Sequence, residues 1–581
     1  MSEQTDYHSY HIFIYPFKWE LNKCKIGVFS EKTDLNRVCE LFSQSHKSEW
    51  KNETFSFLDA DIIANFSRKR FNEYNYFYDF TRNALYDFGN NESLKSNKDT
   101  LVKHFRYQPA IKKPLYYYIR KNKTWNEQNK PHECGVPEDS ICNTYIDYRL
   151  EVEDIFINFY ETGVGIITFH LYNYENPGKR SILNINKYGR RVNAPFLDYQ
   201  KGISKTKEAE LPEFLWITSQ GGFNSKSSPQ EKLFENFAFY ENEKELNKQP
   251  FYVSKTISGL FAKEFFSYNH DNNIVKFEPV LDDRMFVLCW FGCAGISDEI
   301  KTAYNPKIAG DIKNSTGNLI ARVYEDKAEQ YIDSDYWYKY LFLDEESATC
   351  QNPEMRKRLL LEHTYLRWSD YATLYGITRY SFMSLTEPLV HLRKPEVNAA
   401  FLPVHVMTIY YKMTELAFVQ RASLLKFSDE ISAISGHLNE NEISEQIKDL
   451  YKAYIEFINK IYFREITAQE QGIELYQLMH KVMQIPKNIE DLDKEFRELH
   501  DFEAMREQAS QTQKANLLNI IATVFLPASF VAAIFGISTF DREITLLGGN
   551  VDWHFVLPLI ITIIILFINA LSMRKDIRKL F

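Results

Sequence analysis

Two long uncharged stretches near the C-terminus constrain this chain more than any other feature. No charged residue occurs between Lys514 and Asp541, and none from Phe555 to Met573. A helix needs about 20 apolar residues to cross a hydrocarbon core. Residues 515–535 and 555–573 are therefore expected to be transmembrane helices. Pro527 and Pro558 would damage ordinary helices but are tolerated in packed membrane helices. After Met573 come Arg574, Lys575, Arg578 and Lys579, whereas the connecting loop holds Asp541, Arg542, Glu543 and Asp552. The positive-inside rule puts the tail, residues 574–581, in the cytoplasm. With two spans the N-terminal body lies on the same side. The expectation is a multi-pass inner-membrane protein with both termini cytoplasmic and the lipid bilayer as a partner.

The first stretch has a patterned face. Thr512, Ala515, Asn519, Ala522, Leu526, Ser529, Ala533 and Gly536 recur at alternating spacings of three and four. That places mostly small and polar residues on one helical stripe. Such a stripe permits close helix packing. In an oligomer it can equally line a pore, and spacing alone does not choose.

The length suits two or three domains. The net charge of −9 argues against nucleic acid as a partner, which calls for a basic face. The seven cysteines have no zinc-ribbon spacing. Cys289 and Cys293 lie in an apolar run and read as buried free thiols. His132, Cys134 and Cys142 form a weak metal candidate. The N-terminus MSEQTDYHSY has neither a basic n-region nor an apolar core, so no signal peptide is expected.

Residues 1–395 read as a mixed α/β sensor domain. His11–Phe17 is strand-like. Tyr148–Tyr172 reads as two strands around a Glu161–Gly165 turn, and Phe277–Phe291 as two more around Asp282–Arg284. Leu359–Ser384 reads as helix, then loop. Residues 396–513 read as a helical stalk, with helices at 399–434 and 443–483. A third starts after Pro486 and runs into the first span of a transmembrane domain at 514–573. Acidic residues from Glu490 to Glu503 crowd this third helix; a solvated face and a divalent-cation site both fit them.

Ile520–Ser538, IIATVFLPASFVAAIFGIS, resembles the first transmembrane helix of the CorA-type, two-span GxN divalent cation channels. The resemblance implies an α+β cytoplasmic domain, a long helical stalk, two C-terminal transmembrane helices and a homo-oligomer, pentameric in that family. It implies pore-lining roles for Ala515, Leu518, Leu526, Ser529 and Ser538. With the stripe, the pore candidates also include Asn519, Ala522, Ala533 and Gly536. Where the family has glycine–methionine–asparagine, this chain has Gly536, Ile537 and Ser538, so magnesium selectivity does not carry over. The enlarged body is similar to the CorA-like membrane effectors of type III CRISPR systems. That similarity implies an antiviral ion channel gated by a nucleotide second messenger of the S-adenosylmethionine–AMP type. A constitutive divalent-metal transporter and a membrane-anchored enzyme or binding module are the alternatives.

The body holds no Walker motif, dinucleotide fingerprint, HExxH or serine elbow, and no enzyme activity is expected. No covalent cofactor is expected either; a divalent cation and a nucleotide ligand are. Arginine suits phosphate and aromatic rings suit adenine. On that ground Arg190 and Arg191, Arg284, and the cluster of Arg367, Trp368 and Arg379 are the candidate ligand-binding residues. Salt-bridged surface positions explain each cluster as well.

Overall fold

The computed structural model describes residues 6–21, 33–45, 50–55, 66–89, 101–108, 115–122, 145–190, 234–240, 251–252, 275–280, 284–295, 308–313, 316–317, 319–324, 330–345, 347–395, 397–435, 443–535, 544–546, 549–551, 560–561, 563–564 and 567. The chain divides into two units, Met1–Asp493 and Lys494–Phe581.

The first unit is built on one large mixed sheet. Its strands are β1 (Ser9–Leu21), β2 (Trp50–Asn52), β3 (Val102–Tyr107), β4 (Leu115–Asn122), β5 (Tyr145–Tyr160), β6 (Val164–Asn173), β7 (Phe234–Tyr240), β8 (Phe251–Tyr252), β9 (Val275–Pro279) and β10 (Phe286–Gly292). A separate hairpin, β11 (Ile308–Lys313) and β12 (Leu319–Tyr324), comes next. The sheet resumes with β13 (Thr364–Tyr365), β14 (Leu374–Ile377) and β15 (Ser381–Thr386). The main strand order is β13-β14-β15-β10-β1-β6-β5-β4-β7-β8, with β3 also on β5, β2 on β3 and β9 on β1.

β1 lies at the centre and is buried along nearly its whole length. Strands covered on both faces read as continuous apolar runs rather than alternating ones, and SYHIFIYPFKWEL is such a run. Alternate side chains serve two layers. Phe13, Tyr15, Phe17 and Trp19 join one core with Ile182 and Ile185 of the helix Lys179–Gly189 and with Trp337, Tyr340 and Leu341 of the helix Asp335–Phe342. On the other face lies the helix Tyr411–Ser435, where Phe418 meets Phe286 with ring centroids 5.1 Å apart.

The turn expected within 148–172 forms: β5 and β6 pair antiparallel across it. Gly163 takes φ +75° there, a backbone region that glycine enters without a Cβ penalty. The pair expected within 277–291 is different. β9 and β10 do not form a hairpin. Both pair antiparallel with β1, β10 along Ser9–Ile14 and β9 along Phe17–Leu21. They act as one interrupted strand. Tyr15 and Pro16 lie opposite the break, where a residue without an N–H costs the ladder least. The loop expected after the helix at 359 is also corrected. The helix is Pro353–His363, and three strands, β13 to β15, come after it. Long-range pairing with β10, parallel and in register from Val287↔Ser381, fixes that segment as sheet.

Downstream, helices run Ile443–Lys460, Glu470–Met483 and Ile485–Phe535. The last is 51 residues long. The expected two-span, CorA-like arrangement is overturned: among the described residues no helix is long and apolar enough to cross a membrane. The long helix carries charge up to Lys514. Of residues 555–573, only 560, 561, 563, 564 and 567 are described. The inner-membrane localisation and the membrane-protein, transmembrane-helix and ion-channel expectations are corrected on the same ground.

Candidate functional site

A cavity of about 210 Å³ opens on the sheet face that carries the helix Tyr411–Ser435. Five β-strand side chains build its floor: Tyr10 of β1, His104 and Arg106 of β3, and His170 and Tyr172 of β6. Each strand contributes residues two apart or in register across the ladder, as a single sheet face requires. Tyr10 and Tyr172 are cross-strand partners, and their rings meet edge-on at 4.8 Å.

β5 breaks that alternation. Its register on β6 passes from Val152↔Leu171 to Asp154↔His170, leaving Glu153 as an extra residue. A β-bulge re-aims a side chain in this way. Successive carboxylates, Glu153 and Asp154, consequently both line the cavity, with Phe156 and Asn158 beyond them.

The facing wall is helical. The helix Phe401–His405 passes into a π-helical turn, Val406–Tyr410, before the helix Tyr411–Ser435. Val404, Met407, Thr408, Tyr411 and Lys412 of this segment line the cavity. Single π turns within helices recur at functional sites. A third wall brings Glu53, Phe55, Glu73, Tyr86 and Asp87.

The polar groups are extensively paired. Tyr10 donates its hydroxyl hydrogen to Glu153, and Tyr172 donates to the other oxygen of that carboxylate at 3.0 Å. Arg106 is paired with Asp154. Burial lifts the Asp154 carboxyl to about 7 in spite of that guanidinium. Beside the cavity, Glu415 of the helix Tyr411–Ser435 accepts hydrogen bonds from Asn158, from Tyr160 at 2.7 Å and from Lys412 at 2.9 Å. Burial alone would raise the Glu415 pKa, but Lys412, His104 and the Tyr160 hydroxyl hold it below the usual carboxylate range. The two ring nitrogens of His104 contact Asn158 Oδ1 at 2.7 Å and the Leu85 carbonyl at 3.1 Å.

Arg190, Arg284, Arg367 and Arg379, singled out in the sequence, sit elsewhere, and none of them lines this cavity. Arg190 caps the helix Lys179–Gly189, and its carbonyl accepts from the Met285 amide, next to Arg284, at 2.7 Å. Arg367 pairs with Glu474 at 2.6 Å. Trp368 precedes a 3-10 turn at Ser369–Tyr371. Arg379 Nε donates to the Val482 carbonyl at 3.3 Å. Arg191 lies outside the described residues, as do Gly536, Ser538, His132, Cys134 and Cys142. Ala515, Leu518, Asn519, Ala522, Leu526 and Ser529 are positions of the helix Ile485–Phe535, and Ala533 belongs to the same helix. With no described helix able to cross a membrane, no pore role is assigned to them. Cys289 is a buried free thiol and Cys293 a half-buried one. Among the described residues no group of three or more His, Cys, Asp or Glu side chains is placed to hold a metal ion.

Buried histidines give the body an acid-sensitive stability. Burial lowers the pKa of His11 to about 4, of His170 to about 3 and of His480 to about 4. A group depressed in the folded state is protonated first in the unfolded chain. Its contribution is full above the unfolded value, about 6.5, and declines as pH falls towards the folded value. Asp154 and Glu430, raised when folded, work in the opposite sense, but burial also lowers His104, His363 and His405. Unfolding free energy is expected to drop between about pH 6.5 and 4, by up to ~1.4 kcal/mol per pH unit for each histidine. Urea melts at pH 7.5, 6 and 5 measure it; a flat profile would count against neutral burial of these rings.

No protein-family model matches this chain, and no curated protein matches it.

Proposed function

We propose that the first unit is a small-molecule sensor and that the cavity on its sheet binds an adenine-containing messenger. One observation carries this reading. The cavity places Tyr10, Phe55, Tyr86, Phe156, Tyr172 and Tyr411 around polar groups on a rigid sheet, against a wall made by a π turn. Concave sites lined by aromatic rings with a few placed polar groups are where small ligands bind. Flat rings accept a purine by stacking, and Tyr or Phe faces accept a cation.

The π turn suggests how binding is passed on. A ligand shifts an equilibrium only if it binds the two states differently. Met407, Thr408 and Lys412 touch the cavity and lie in or next to the π turn. A ligand contacting them favours one helical register over another, and the Tyr411–Ser435 helix carries the difference across the sheet.

Calorimetry with adenosine and its 5′ derivatives tests the site. Phe156→Ala and Tyr172→Ala are expected to weaken binding about tenfold each, from lost stacking. Arg190→Ala, Arg284→Ala and Arg379→Ala are expected to bind like the parent protein, because they lie outside the cavity. Weakening by the arginine variants and none by the aromatic ones would place the ligand elsewhere.

A further inference from the structure

The donors on the cavity wall are already engaged. Arg106 is held by Asp154, and Lys412 by Glu415. Some acceptor atoms are not. His170 Nε2 and Asp87 Oδ2 are buried and have no hydrogen-bond partner among the described residues. Asp87 Oδ1, by contrast, accepts from the Gly89 amide at 2.9 Å and from Lys103 at 3.1 Å.

Tyr10 decides the state of His170. Its single hydroxyl hydrogen goes to Glu153, so towards His170 Nδ1, 3.0 Å away, it can only accept. The histidine hydrogen is therefore on Nδ1. Nε2 is left as a bare lone pair in a buried position. A buried acceptor without a donor costs free energy, which a ligand with an N–H removes.

The charge of the wall points the same way. Glu53, Glu73, Asp87 and Glu153 put carboxylates on the wall, Asp87 being paired with Lys103 outside it, and Asp154, lifted to about 7, adds part of a charge; the cations on the wall are Arg106 and Lys412, and the β5 bulge is what brings Glu153 and Asp154 in together. An anion entering here would have to displace a carboxylate from one of the cations. A protonated amine meets carboxylates, bare acceptors and aromatic faces.

We propose that the cavity selects a ligand bearing a positively charged, hydrogen-bond-donating nitrogen, read by His170 Nε2, Asp87 Oδ2 and the Glu153–Asp154 bulge. This deepens the reading of the cavity as an adenine site and rests on it. Tyr10 is a positioning residue: it presents the correct face of His170 without needing to touch the ligand.

Three probes differing at one position separate the possibilities: 5′-amino-5′-deoxyadenosine, adenosine and AMP, cationic, neutral and anionic. Calorimetry on the full chain at pH 7 is expected to rank them in that order, with at least about tenfold between the amine and adenosine. His170→Phe is expected to remove that advantage. His170→Gln, which can return an acceptor near Nε2, is expected to restore part of it. Thermal melts of both variants report whether they fold. AMP binding as tightly as the amine would overturn the cation proposal and leave the adenine site standing. An unchanged ranking in a folded His170→Phe protein would overturn the role of His170. If none of the three probes binds at millimolar concentration, the proposal and the adenine reading fall together.

Discussion

Glu415→Ala is expected to destabilise the first unit by about 3–5 kcal/mol, because it strands a partly buried cation and two buried donors. Glu415 is 1% exposed. It is the shared acceptor for Asn158, Tyr160 and Lys412, and so it ties β5 to the first turn of the Tyr411–Ser435 helix. Without it Lys412, a cavity residue, keeps its charge but loses its counter-ion. Asn158 loses the partner of its amide, and Tyr160 the acceptor of its hydroxyl. A second variant separates charge from packing. Lys412→Met with Glu415→Leu removes both charges and keeps the volume; it should recover the part of the loss due to the stranded cation, while Asn158 and Tyr160 still lack their acceptor. Urea unfolding followed by far-UV circular dichroism reads both. A loss below about 1 kcal/mol in Glu415→Ala would mean that the pair behaves as a surface salt bridge. The sign with pH is fixed as well. The folded pKa of Glu415 is depressed, so its contribution is full above the unfolded value, about 4.3, and is lost as pH falls through the folded one.

Trp290→Ala should cost a comparable ~3–5 kcal/mol, the usual range for removing a fully buried large aromatic side chain. Trp290 is 0% exposed. It sits on β10 directly opposite Tyr10, and its indole N–H donates to Thr386 Oγ1 of β15 at 2.9 Å. The substitution therefore opens a cavity at the joint of three neighbouring strands. It also leaves Thr386 with one partner, the Glu387 carbonyl. Trp290→Phe fills most of the hole and should lose much less. Similar losses for the two variants would show that the hydrogen bond, not the volume, sets the cost. Because Trp290 backs Tyr10, the alanine variant should also weaken ligand binding at the cavity by loosening the ring that orients His170.

Local sequence determined the local elements. The apolar run at 11–17 became the central strand β1. The Glu161–Gly165 turn became the β5–β6 connection, because a glycine able to adopt positive φ stands between two β-rich runs. The helical spacing after Pro486 became a helix continuous to Phe535. Each of these depends on residues a few positions apart, so period and turn chemistry suffice.

Tertiary structure decided the rest. β9 and β10 are separated by residues that look like a turn, yet both add to β1, because a central strand offers a long edge on which two apolar segments can be buried. The strands after His363 had no helical or alternating signature strong enough to claim them. Pairing with β10 and β14 made them sheet. The uncharged C-terminal stretches suggested spans, but among the described residues no helix is long and apolar enough to cross a membrane. The candidate site lay furthest from sequence reasoning. Its residues come from segments between Tyr10 and Lys412, its carboxylate pair depends on a one-residue bulge, and its free acceptor depends on which way Tyr10 directs its only hydroxyl hydrogen. The arginines that stood out in the sequence were claimed by near neighbours such as Glu474 and the Val482 carbonyl. A one-dimensional reading can find the groups that bind a ligand, but only the packed chain reveals which of them are still unpaired.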